Sequence, residues 1–367
     1  MKPLKGLIYL ILVTLFHVNI LTAQTKIHKP TNDTFFTYNG RINLENDAVA
    51  LIGSASSTTF KVKDNSITLH LTTDGTTPYN FVVITVNEEN PKRYKILAEQ
   101  DNEIALKLKR KKSKITIYKA TEASIGDVYF TGVDAKKLLP VKSKKYDYKI
   151  EFIGNSITCG MDADTREIPC DTENWYDQHN AYFAYGSTLS RALNAKYLLS
   201  SVSGIGIYRN WNDENIEEPI MLQVYDNLYL NLEKKKPYDY SFNPDLISIC
   251  LGTNDLSDGD GIKERLPFNE KKYIANYITL VTKLYEHNPT SKIVLLNSPM
   301  VSGEKNDVLV SCLTEVKNHF EKEDRKIYIV LMHGITPKGC SFHPAIEEHQ
   351  QMANQLLPSF KKILSEK

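Results

Sequence analysis

The carboxyl-terminal part of the chain alternates strand-like and helix-like segments, and this alternation limits the fold more than any other feature of the sequence. From Tyr148 onward, short runs rich in β-branched and aromatic residues are separated by amphipathic patterns. Strands are predicted at 148–153, 196–202, 246–251, 292–296 and 326–331, and the clearest helices at 270–286, 307–320 and 345–363. Such alternation indicates an α/β domain with a doubly wound parallel sheet of about five strands and right-handed crossovers.

The residues before this domain follow a different pattern. Short β-type runs succeed one another at intervals of roughly 8–15 residues, with turn signals such as Asp-Gly and Asn-Pro between them. Examples of these runs are 48–52, 58–62, 66–71, 80–86, 94–97, 103–108 and 115–119. No long amphipathic helix interrupts them. We therefore expect an all-β jelly-roll sandwich over residues 24–145, followed by the α/β domain over residues 146–367.

The amino terminus has the pattern of a secretory signal peptide. Lys2 and Lys5 precede an apolar run from Leu7 to Leu21, and small residues follow it. The run is too short for a typical membrane span, and no second hydrophobic segment follows. We therefore predict that residues 1–23 are removed and that the protein is secreted or periplasmic.

Charge indicates no macromolecular partner. The chain has 45 Lys and Arg residues against 44 Asp and Glu residues. A sequence this close to neutrality has no electrostatic feature of a protein that binds nucleic acid or an anionic membrane. We also find no sequence feature that indicates a protein partner.

Four short segments with polar residues and glycines follow predicted strands of the α/β domain. They are Gly154–Ser156, Ser203–Gly206, Leu251–Asp255 and Gly339–Pro344. Because the carboxyl ends of parallel strands meet at one face, we expect side chains from all four segments to converge there. The residues that carry this expectation are Ser156, Gly204, Asn254 and His343.

These residue types suit acyl transfer. Ser156 would attack a carbonyl carbon, and His343 would take its proton and return it to the leaving alcohol. The N–H groups of Ser156 and Gly204 and the amide of Asn254 would bind the oxyanion, with Gly206 as the alternative to Gly204. Each residue also has a structural interpretation, since Ser156 or His343 can cap a helix and Asn254 can close an Asx-turn.

The same segments resemble a known family. Gly-Asn-Ser, a later glycine, Gly-Thr-Asn-Asp and a carboxyl-terminal His-Pro are similar to the ordered blocks of the SGNH (GDSL-like) hydrolases. The resemblance is closer to the two-domain acetylesterases of carbohydrate esterase family 2, and it rests also on Tyr38–Arg41, Tyr118–Glu122, Ser203–Asn210 and Gly339–Cys340. It implies a jelly-roll domain before an SGNH hydrolase domain. The implied activity is removal of acetyl groups from plant polysaccharides or oligosaccharides such as xylan or glucomannan, often at the sugar 6-position, through an acetyl-Ser156 intermediate and without metal or organic cofactor.

One position departs from the family pattern. SGNH hydrolases usually carry an aspartate two or three residues before the catalytic histidine, where this chain has Ser341 and Cys340. A carboxylate normally orients that histidine, so we expect a Ser-His dyad in which a backbone carbonyl could hold the ring. Asp255 is a less favoured substitute, because it is expected to structure its own loop. A non-catalytic carbohydrate-binding protein, a thioesterase or short-chain lipase, and a structural surface protein remain alternatives.

Four aromatic residues are candidates for binding sugar: Trp175, Tyr208, Trp211 and Phe342. An aromatic ring can cover the apolar C–H face of a sugar. The alternative for each is core packing, to which aromatic rings contribute by burial. The other histidines, including His179, His333 and His349, are expected to be surface or packed residues.

The five cysteines all lie after residue 158. A disulfide between Cys159 and Cys170 would cross a loop, but an odd number of cysteines and their uneven spacing leave the pairing open. Cys250 and Cys312 lie in apolar surroundings and are predicted to pack as small hydrophobic residues. No Cys-x-x-Cys pair occurs, so we predict no metal site.

Overall fold

The structure is a computed structural model that describes residues 26–31, 34–142, 144–171 and 174–366. The signal peptide predicted for residues 1–23 lies outside these ranges. Among the described residues, no helix is both long and apolar enough to cross a membrane.

The amino-terminal part consists of β-strands with one 3₁₀ turn at Ala123–Ile125. The strands are β1 (Lys26–His28), β2 (Phe36–Asn39), β3 (Ile42–Glu45), β4 (Ala48–Leu51), β5 (Ser57–Lys63), β6 (Ser66–Thr73), β7 (Tyr79–Val86), β8 (Glu89–Leu97), β9 (Asn102–Lys107), β10 (Lys112–Lys119), β11 (Val128–Ala135) and β12 (Leu138–Leu139). The first sheet has the order β3-β4-β11-β6-β9, with β1 also on β11, and the second has the order β12-β5-β10-β7-β8, with β2 also on β5. Neighbouring strands are antiparallel in both sheets.

The two sheets enclose one apolar core. Phe36 and Phe60 of the second sheet and Phe130 of the first lie in it, and the rings of Phe60 and Phe130 stack with centroids 5.7 Å apart. Threonines such as Thr59 and Thr116 alternate with these core residues and point to the outer face of the second sheet. The predicted β-sandwich is therefore confirmed.

The α/β part begins with β13 (Tyr148–Gly154) and contains a five-stranded parallel sheet, as predicted. Its order is β14-β13-β15-β16-β17, with β14 (Ala195–Ser201), β15 (Leu246–Cys250), β16 (Lys292–Leu296) and β17 (Ile327–Val330). The helices are α1 (Ser156–Cys159), α2 (Tyr185–Ala192), α3 (Met221–Val224), α4 (Glu270–His287), α5 (Gly303–Glu321) and α6 (Ile346–Ser365), with a 3₁₀ turn at Cys340–Phe342.

Helices cover both faces of this sheet. Residues of α4 and α5 share one apolar cluster with Ile153, whereas residues of α2 and α6 share another with the neighbouring Phe152. Successive side chains of β13 thus enter opposite cores, which explains its nearly continuous apolar sequence. The carboxyl ends of β13, β14 and β15 lie side by side. Each of these strands leads into a segment that contains a candidate site residue.

Arg41 joins the sandwich to the α/β domain from a fully buried position. Its guanidinium donates hydrogen bonds to Ser200 Oγ (3.1 Å), the Asn227 carbonyl (2.6 Å) and the Tyr225 carbonyl (3.1 Å). The buried carboxylate of Glu151 accepts from Ser200 Oγ and from the Tyr225 hydroxyl, so the two opposite charges share the same partners. The two parts of the chain are therefore joined by a buried polar network.

Candidate active site

A tight turn presents Ser156 at the carboxyl end of β13. Asn155 caps the short helix α1, and its side-chain oxygen accepts from the Ile157 N–H at 3.2 Å. A side chain at Gly154 would meet Thr158 Oγ1 at 2.1 Å, so only glycine fits where the strand turns into the helix. Ser156 is thereby fixed at the first position of α1.

The structure brings His343 to Ser156 across 187 residues of sequence. Ser156 Oγ lies 2.8 Å from His343 Nε2, and His343 Nδ1 lies 3.0 Å from the Ser341 carbonyl oxygen. A carbonyl can only accept a hydrogen bond, so Nδ1 carries the proton and Nε2 has a free lone pair toward the Ser156 hydroxyl. This is the tautomer that a general base for Ser156 requires, and a backbone carbonyl holds it.

The loop before His343 has an unusual backbone. Ser341 and Phe342 both adopt positive φ, at 49° and 61°, a region that non-glycine residues rarely occupy. The Gly339 N–H donates to the His343 carbonyl, and the His343 N–H donates to the Cys340 carbonyl, each at 2.8 Å. The loop thus turns tightly enough for Ser341 to offer its carbonyl to a ring only two residues further on.

A disulfide between Cys170 and Cys340 anchors this loop. The suggested pairing of Cys159 with Cys170 is wrong, because Cys159 is a buried free thiol in the short helix after the nucleophile turn. Cys250 and Cys312 are free and buried, as predicted. The cross-link ties the histidine loop to the long loop that follows α1.

Asp162 is a carboxylate near the histidine that sequence patterns did not indicate. Its Oδ2 lies 3.8 Å from His343 Nδ1, too far for a hydrogen bond but near enough to stabilise an imidazolium. The Asp162 carbonyl also accepts from the Cys340 N–H at 3.2 Å. Burial lowers the pKa of His343 below its ordinary value, and the charge of Asp162 and the Ser341 carbonyl oppose that shift.

We expect the acid limb of the kcat/KM profile to lie below pH 6.5, the ordinary pKa of histidine. Only the uncharged imidazole can accept the Ser156 proton. Because burial lowers the pKa of His343, the base stays uncharged as the pH falls through 6.5 and is lost on further acidification. A pH profile of kcat/KM with 4-nitrophenyl acetate measures this limb, and a midpoint above 6.5 would contradict the account.

Gly204 and Asn254, the predicted oxyanion donors, lie on the segments that follow β14 and β15, the two strands beside β13. Among the hydrogen bonds of the described residues the Gly204 N–H has no acceptor, and a side chain at Gly204 would meet no atom within 4 Å. The Gly206 N–H, by contrast, is bound to Asn210 Oδ1 at 3.0 Å. One N–H of the Asn254 amide donates to the Ile205 carbonyl at 2.8 Å, which orients the amide and leaves its second N–H.

Asp255 is buried and has the loop-structuring role expected for it. Its carboxylate accepts from the N–H groups of Ile207, Tyr208 and Arg209 at 2.9–3.3 Å. Burial raises the pKa of Asp255 to about 6 against these hydrogen bonds. Asp255 therefore holds the segment beyond Gly204, and among the described residues no hydrogen bond or ion pair joins its carboxylate to His343.

Glu122, from the sandwich, holds the other side of that segment. Its fully buried carboxylate accepts from the Ser203 N–H at 2.9 Å and also from the Ser203 hydroxyl. Burial acts to raise the pKa of Glu122, but the nearby His179 and hydrogen bonds from Ser203 and Ser124 outweigh it and hold that pKa at about 2. A charged residue of the sandwich thus fixes the residue before Gly204. Glu122 belongs to a segment that carries the family resemblance, but the sequence did not indicate this contact.

We expect Glu122→Ala to lower kcat roughly 10- to 100-fold with little change in KM for a small ester, the scale of a small misplacement of reacting groups. Without the carboxylate the Ser203 segment loses both hydrogen bonds, and the Gly204 N–H shifts. Steady-state kinetics with 4-nitrophenyl acetate separates kcat from KM. Glu122→Gln keeps the shape and one acceptor, so it should recover part of the rate.

Asp127→Asn is the matched control for this prediction. Asp127 is another buried carboxylate of the sandwich. It pairs with Lys234 of the α/β domain, so it also joins the two parts of the chain, but it does not bind Ser203. The control should lose stability but keep kcat. Equal loss of kcat in both variants would mean that Glu122 acts by stabilising the contact between the sandwich and the α/β domain, and not through Ser203.

Three of the four predicted sugar-binding aromatic residues are solvent-accessible. Trp175 is 50% exposed, Trp211 47% and Phe342 86%. The Trp211 N–H donates to the Gly204 carbonyl at 2.8 Å, and Phe342 directly precedes His343. Tyr208 is instead buried, with its hydroxyl bound to the Asn269 N–H at 3.0 Å. The expected stacking of Tyr208 on a sugar does not fit this burial, because only 8% of the residue is exposed.

The described residues contain one group of side chains close enough to share a metal ion, namely His70, Asp101 and Glu103. It lies in the sandwich, where both ring nitrogens of His70 already contact carboxylates, Asp101 at 3.0 Å and Asp134 at 3.1 Å. When His70 donates to both carboxylates, neither of its ring nitrogens has a lone pair for a metal ion. These side chains therefore form a cluster of charges between strands.

Comparison with known families gives two matches along the chain. Residues 152–356 match the model described as GDSL-like Lipase/Acylhydrolase family, which is more than half of the chain. Residues 38–141 match the model described as Carbohydrate esterase 2 N-terminal. The two matches fall on the α/β part and on the sandwich.

Two curated relatives are similar over much of the chain. An acetylxylan esterase / glucomannan deacetylase of Cellvibrio japonicus is 30% identical over 238 residues, which cover 62% of this chain and 62% of that protein. The cellulase/esterase CelE of Acetivibrio thermocellus is 32% identical over 259 residues, which cover 68% of this chain and 30% of that protein. The chain thus spans less than two thirds of the length of either relative.

Solved structures share the whole architecture. A family two carbohydrate esterase from Clostridium thermocellum, in complex with cellohexaose, aligns with a TM-score of 0.78 at 27% identity, over 89% of this chain and 98% of that one. A family two carbohydrate esterase from Cellvibrio japonicus aligns with a TM-score of 0.81 at 21% identity, over 93% and 98%. Alignments of this extent include both the sandwich and the α/β domain.

Proposed function

The chain belongs to the GDSL-like lipase/acylhydrolase family, and from this membership we propose that it is a serine esterase that removes O-acetyl groups from plant polysaccharides or their oligosaccharides. The observation that carries the proposal is the contact of 2.8 Å between Ser156 Oγ and His343 Nε2, with Nδ1 bound to the Ser341 carbonyl. These contacts supply a nucleophile and a base in the required tautomer.

In the first half of the proposed reaction, Ser156 Oγ attacks the carbonyl carbon of the acetyl ester while His343 Nε2 takes the hydroxyl proton. The carbonyl oxygen gains negative charge, which the Gly204 N–H and the Asn254 amide would bind. The Ser341 carbonyl and Asp162 stabilise the resulting imidazolium. The bond to the sugar oxygen then breaks, His343 protonates that oxygen, and the acetyl group remains on Ser156.

In the second half, water replaces the sugar. His343 takes a proton from the water as its oxygen attacks the acetyl carbon, and the same donors bind the second oxyanion. Collapse releases acetate and returns the proton to Ser156. None of these steps requires a metal ion or an organic cofactor, because the charge that develops is met by N–H groups and by the imidazole.

Carbohydrate is the proposed substrate class for two reasons. The relatives named above are an acetylxylan esterase / glucomannan deacetylase and a cellulase/esterase, and one structural neighbour was solved with cellohexaose. In this chain, Trp175, Trp211 and Phe342 offer exposed rings that suit the apolar face of a sugar.

We also propose that the protein is exported and that it divides near residue 145 into a sandwich domain and a hydrolase domain. Export follows from the signal-peptide pattern of residues 1–23. The division follows from the change between the antiparallel sheets, which end at Leu139, and the parallel sheet, which begins at Tyr148.

The test is a comparison of esters at equal acyl concentration. Acetylated glucomannan, acetylated xylan and 4-nitrophenyl acetate should all release acetate, and 4-nitrophenyl esters with longer acyl chains should react more slowly than the acetate. Ser156→Ala serves as the blank. Preference for long acyl chains would indicate a lipase or thioesterase instead. Binding of the polysaccharides with no acetate release above the blank would indicate a carbohydrate-binding protein.

A further inference from the structure

A cleft of about 910 Å³ lies between the sandwich and the α/β domain, far from Ser156. One wall is the outer face of the second sandwich sheet, with Thr59 and Thr116, and the other includes the starts of β13 and β14, with Lys149 and Lys196. Ser156 follows the opposite end of β13, about 20 Å away at the usual rise per strand residue. We call this cavity the lysine cleft.

The lysine cleft has a large excess of positive charge. Eight cationic and three acidic side chains line it. The acidic groups are already engaged: Glu88 pairs with Lys114 and Lys144, Asp147 accepts from Asn194, and Asp245 accepts from the Lys149 N–H. Within the part of the chain that the structure describes, five of the lining lysines make no ion pair, namely Lys61, Lys142, Lys145, Lys149 and Lys196.

Lys149 and Lys196 are held side by side by the sheet itself. They are direct partners in the parallel pairing of β13 with β14, so their side chains leave the same face. Lys196 is partly buried, and burial together with the charge of Lys149 lowers the pKa of Lys196. Two neighbouring ammonium groups without a counter-ion repel each other, and a bound anion would remove that repulsion.

The rest of the wall suits a sugar. The threonines on the sheet face present hydroxyl groups, and Thr59 and Thr116 hydrogen-bond to each other at 2.9 Å. One exposed tyrosine ring, that of Tyr146 (37% exposed), also lines the cleft. Hydroxyl groups and aromatic rings match the hydroxyl and C–H surfaces of a sugar, whereas the lysines match carboxylates.

We propose that the lysine cleft binds a carboxylate-bearing oligosaccharide, such as a uronate-substituted stretch of the polysaccharide that the enzyme deacetylates. This inference rests on the proposed carbohydrate function and adds a class of substrate to it. A polymer held there keeps acetylated segments near Ser156, and neutral polymers lack this second attachment.

Isothermal titration calorimetry with the full chain tests the site. The Ser156→Ala protein is titrated with glucuronate-substituted xylo-oligosaccharides and with unsubstituted ones of the same length. The same titrations use Ser156→Ala combined with Lys149→Gln and Lys196→Gln, or with the control pair Lys271→Gln and Lys361→Gln, which lies outside the cleft. Thermal melting of each variant confirms that it is folded.

The variant with Lys149→Gln and Lys196→Gln, here called the cleft pair, is expected to bind the substituted ligand more weakly. The expected loss is about tenfold for each hydrogen bond between a lysine and a ligand carboxylate that the substitutions remove, which is the scale of one charged hydrogen bond. The control pair should bind as the parent does, and higher salt should weaken only the substituted ligand. Equal affinity for substituted and unsubstituted ligands, or no effect of the cleft pair, would overturn the proposal. Inorganic phosphate that binds as tightly as the substituted ligand would also overturn it, because the cleft would then select charge alone.

The outcome is independent of the esterase proposal. Binding is measured without turnover, so failure to bind the substituted ligand would not bear on whether the wild-type protein releases acetate. With Ser156 intact, the cleft pair should hydrolyse 4-nitrophenyl acetate at the normal rate. A protein that binds the substituted ligand but releases no acetate would contradict the esterase proposal alone.

Discussion

Alanine in place of Ser156 or His343 is expected to lower kcat/KM for acetyl esters by about 10³-fold or more. Ser156 Oγ and His343 Nε2 are 2.8 Å apart, so each side chain depends on the other. Without the imidazole the hydroxyl keeps its proton, and without the hydroxyl there is no nucleophile. Because the two act as one unit, the double variant should be no slower than the slower single variant.

The matched control for this prediction is Ser341→Ala. Ser341 orients His343 through its backbone carbonyl, which alanine retains, and its side chain is exposed. The control should keep a kcat/KM close to wild type in steady-state assays with 4-nitrophenyl acetate. If Ser156→Ala retains most of the wild-type rate, the chemistry takes place on another residue.

Alanine in place of Arg41 is expected to lower the free energy of unfolding by about 3–5 kcal/mol, the cost of leaving a buried charge without its compensating charge. The substitution leaves the carbonyls of Asn227 and Tyr225 without their donor. It also leaves the buried carboxylate of Glu151 without the positive charge that favours its ionised form. Both effects weaken the junction between the sandwich and the α/β domain.

Denaturant unfolding of wild type and Arg41→Ala measures this change. Adding Glu151→Gln to Arg41→Ala should recover part of the loss, because the second substitution removes the unpaired buried charge. Arg110→Ala is the control, since Arg110 is exposed and lies 3.6 Å from an exposed Glu89. A loss for Arg41→Ala no greater than for Arg110→Ala would show that the buried network does not stabilise the junction.

The position of the candidate site was predictable because strands set it. Ser156 follows β13, and Gly204 and Asn254 follow the adjacent strands β14 and β15. Once the hydrophobic pattern indicates a parallel sheet, these residues must lie at one edge of it. The pattern also predicted the lengths of β13 and β16 to within one residue.

Contacts between loops were not predictable in the same way. Cys170 and Cys340 lie outside the strands and are separated by 170 residues, so the sheet pattern does not determine their distance. Glu122 reaches Ser203 only because the sandwich packs against the α/β domain, a contact that leaves no periodic signal in either segment. Tyr208 lies near a site segment in sequence but faces the core, since Asp255 folds its backbone inward.

The central claim is that acetyl transfer passes through Ser156, and rapid quenching followed by mass spectrometry of the digested protein tests it most directly. With 4-nitrophenyl acetate in excess, wild-type enzyme quenched during turnover should carry one acetyl group on the peptide that contains Ser156, and the Ser156→Ala protein should carry none. An acetyl group found on another residue at a rate that accounts for turnover would contradict the account. So would continued acetate release by Ser156→Ala with no acetylated peptide.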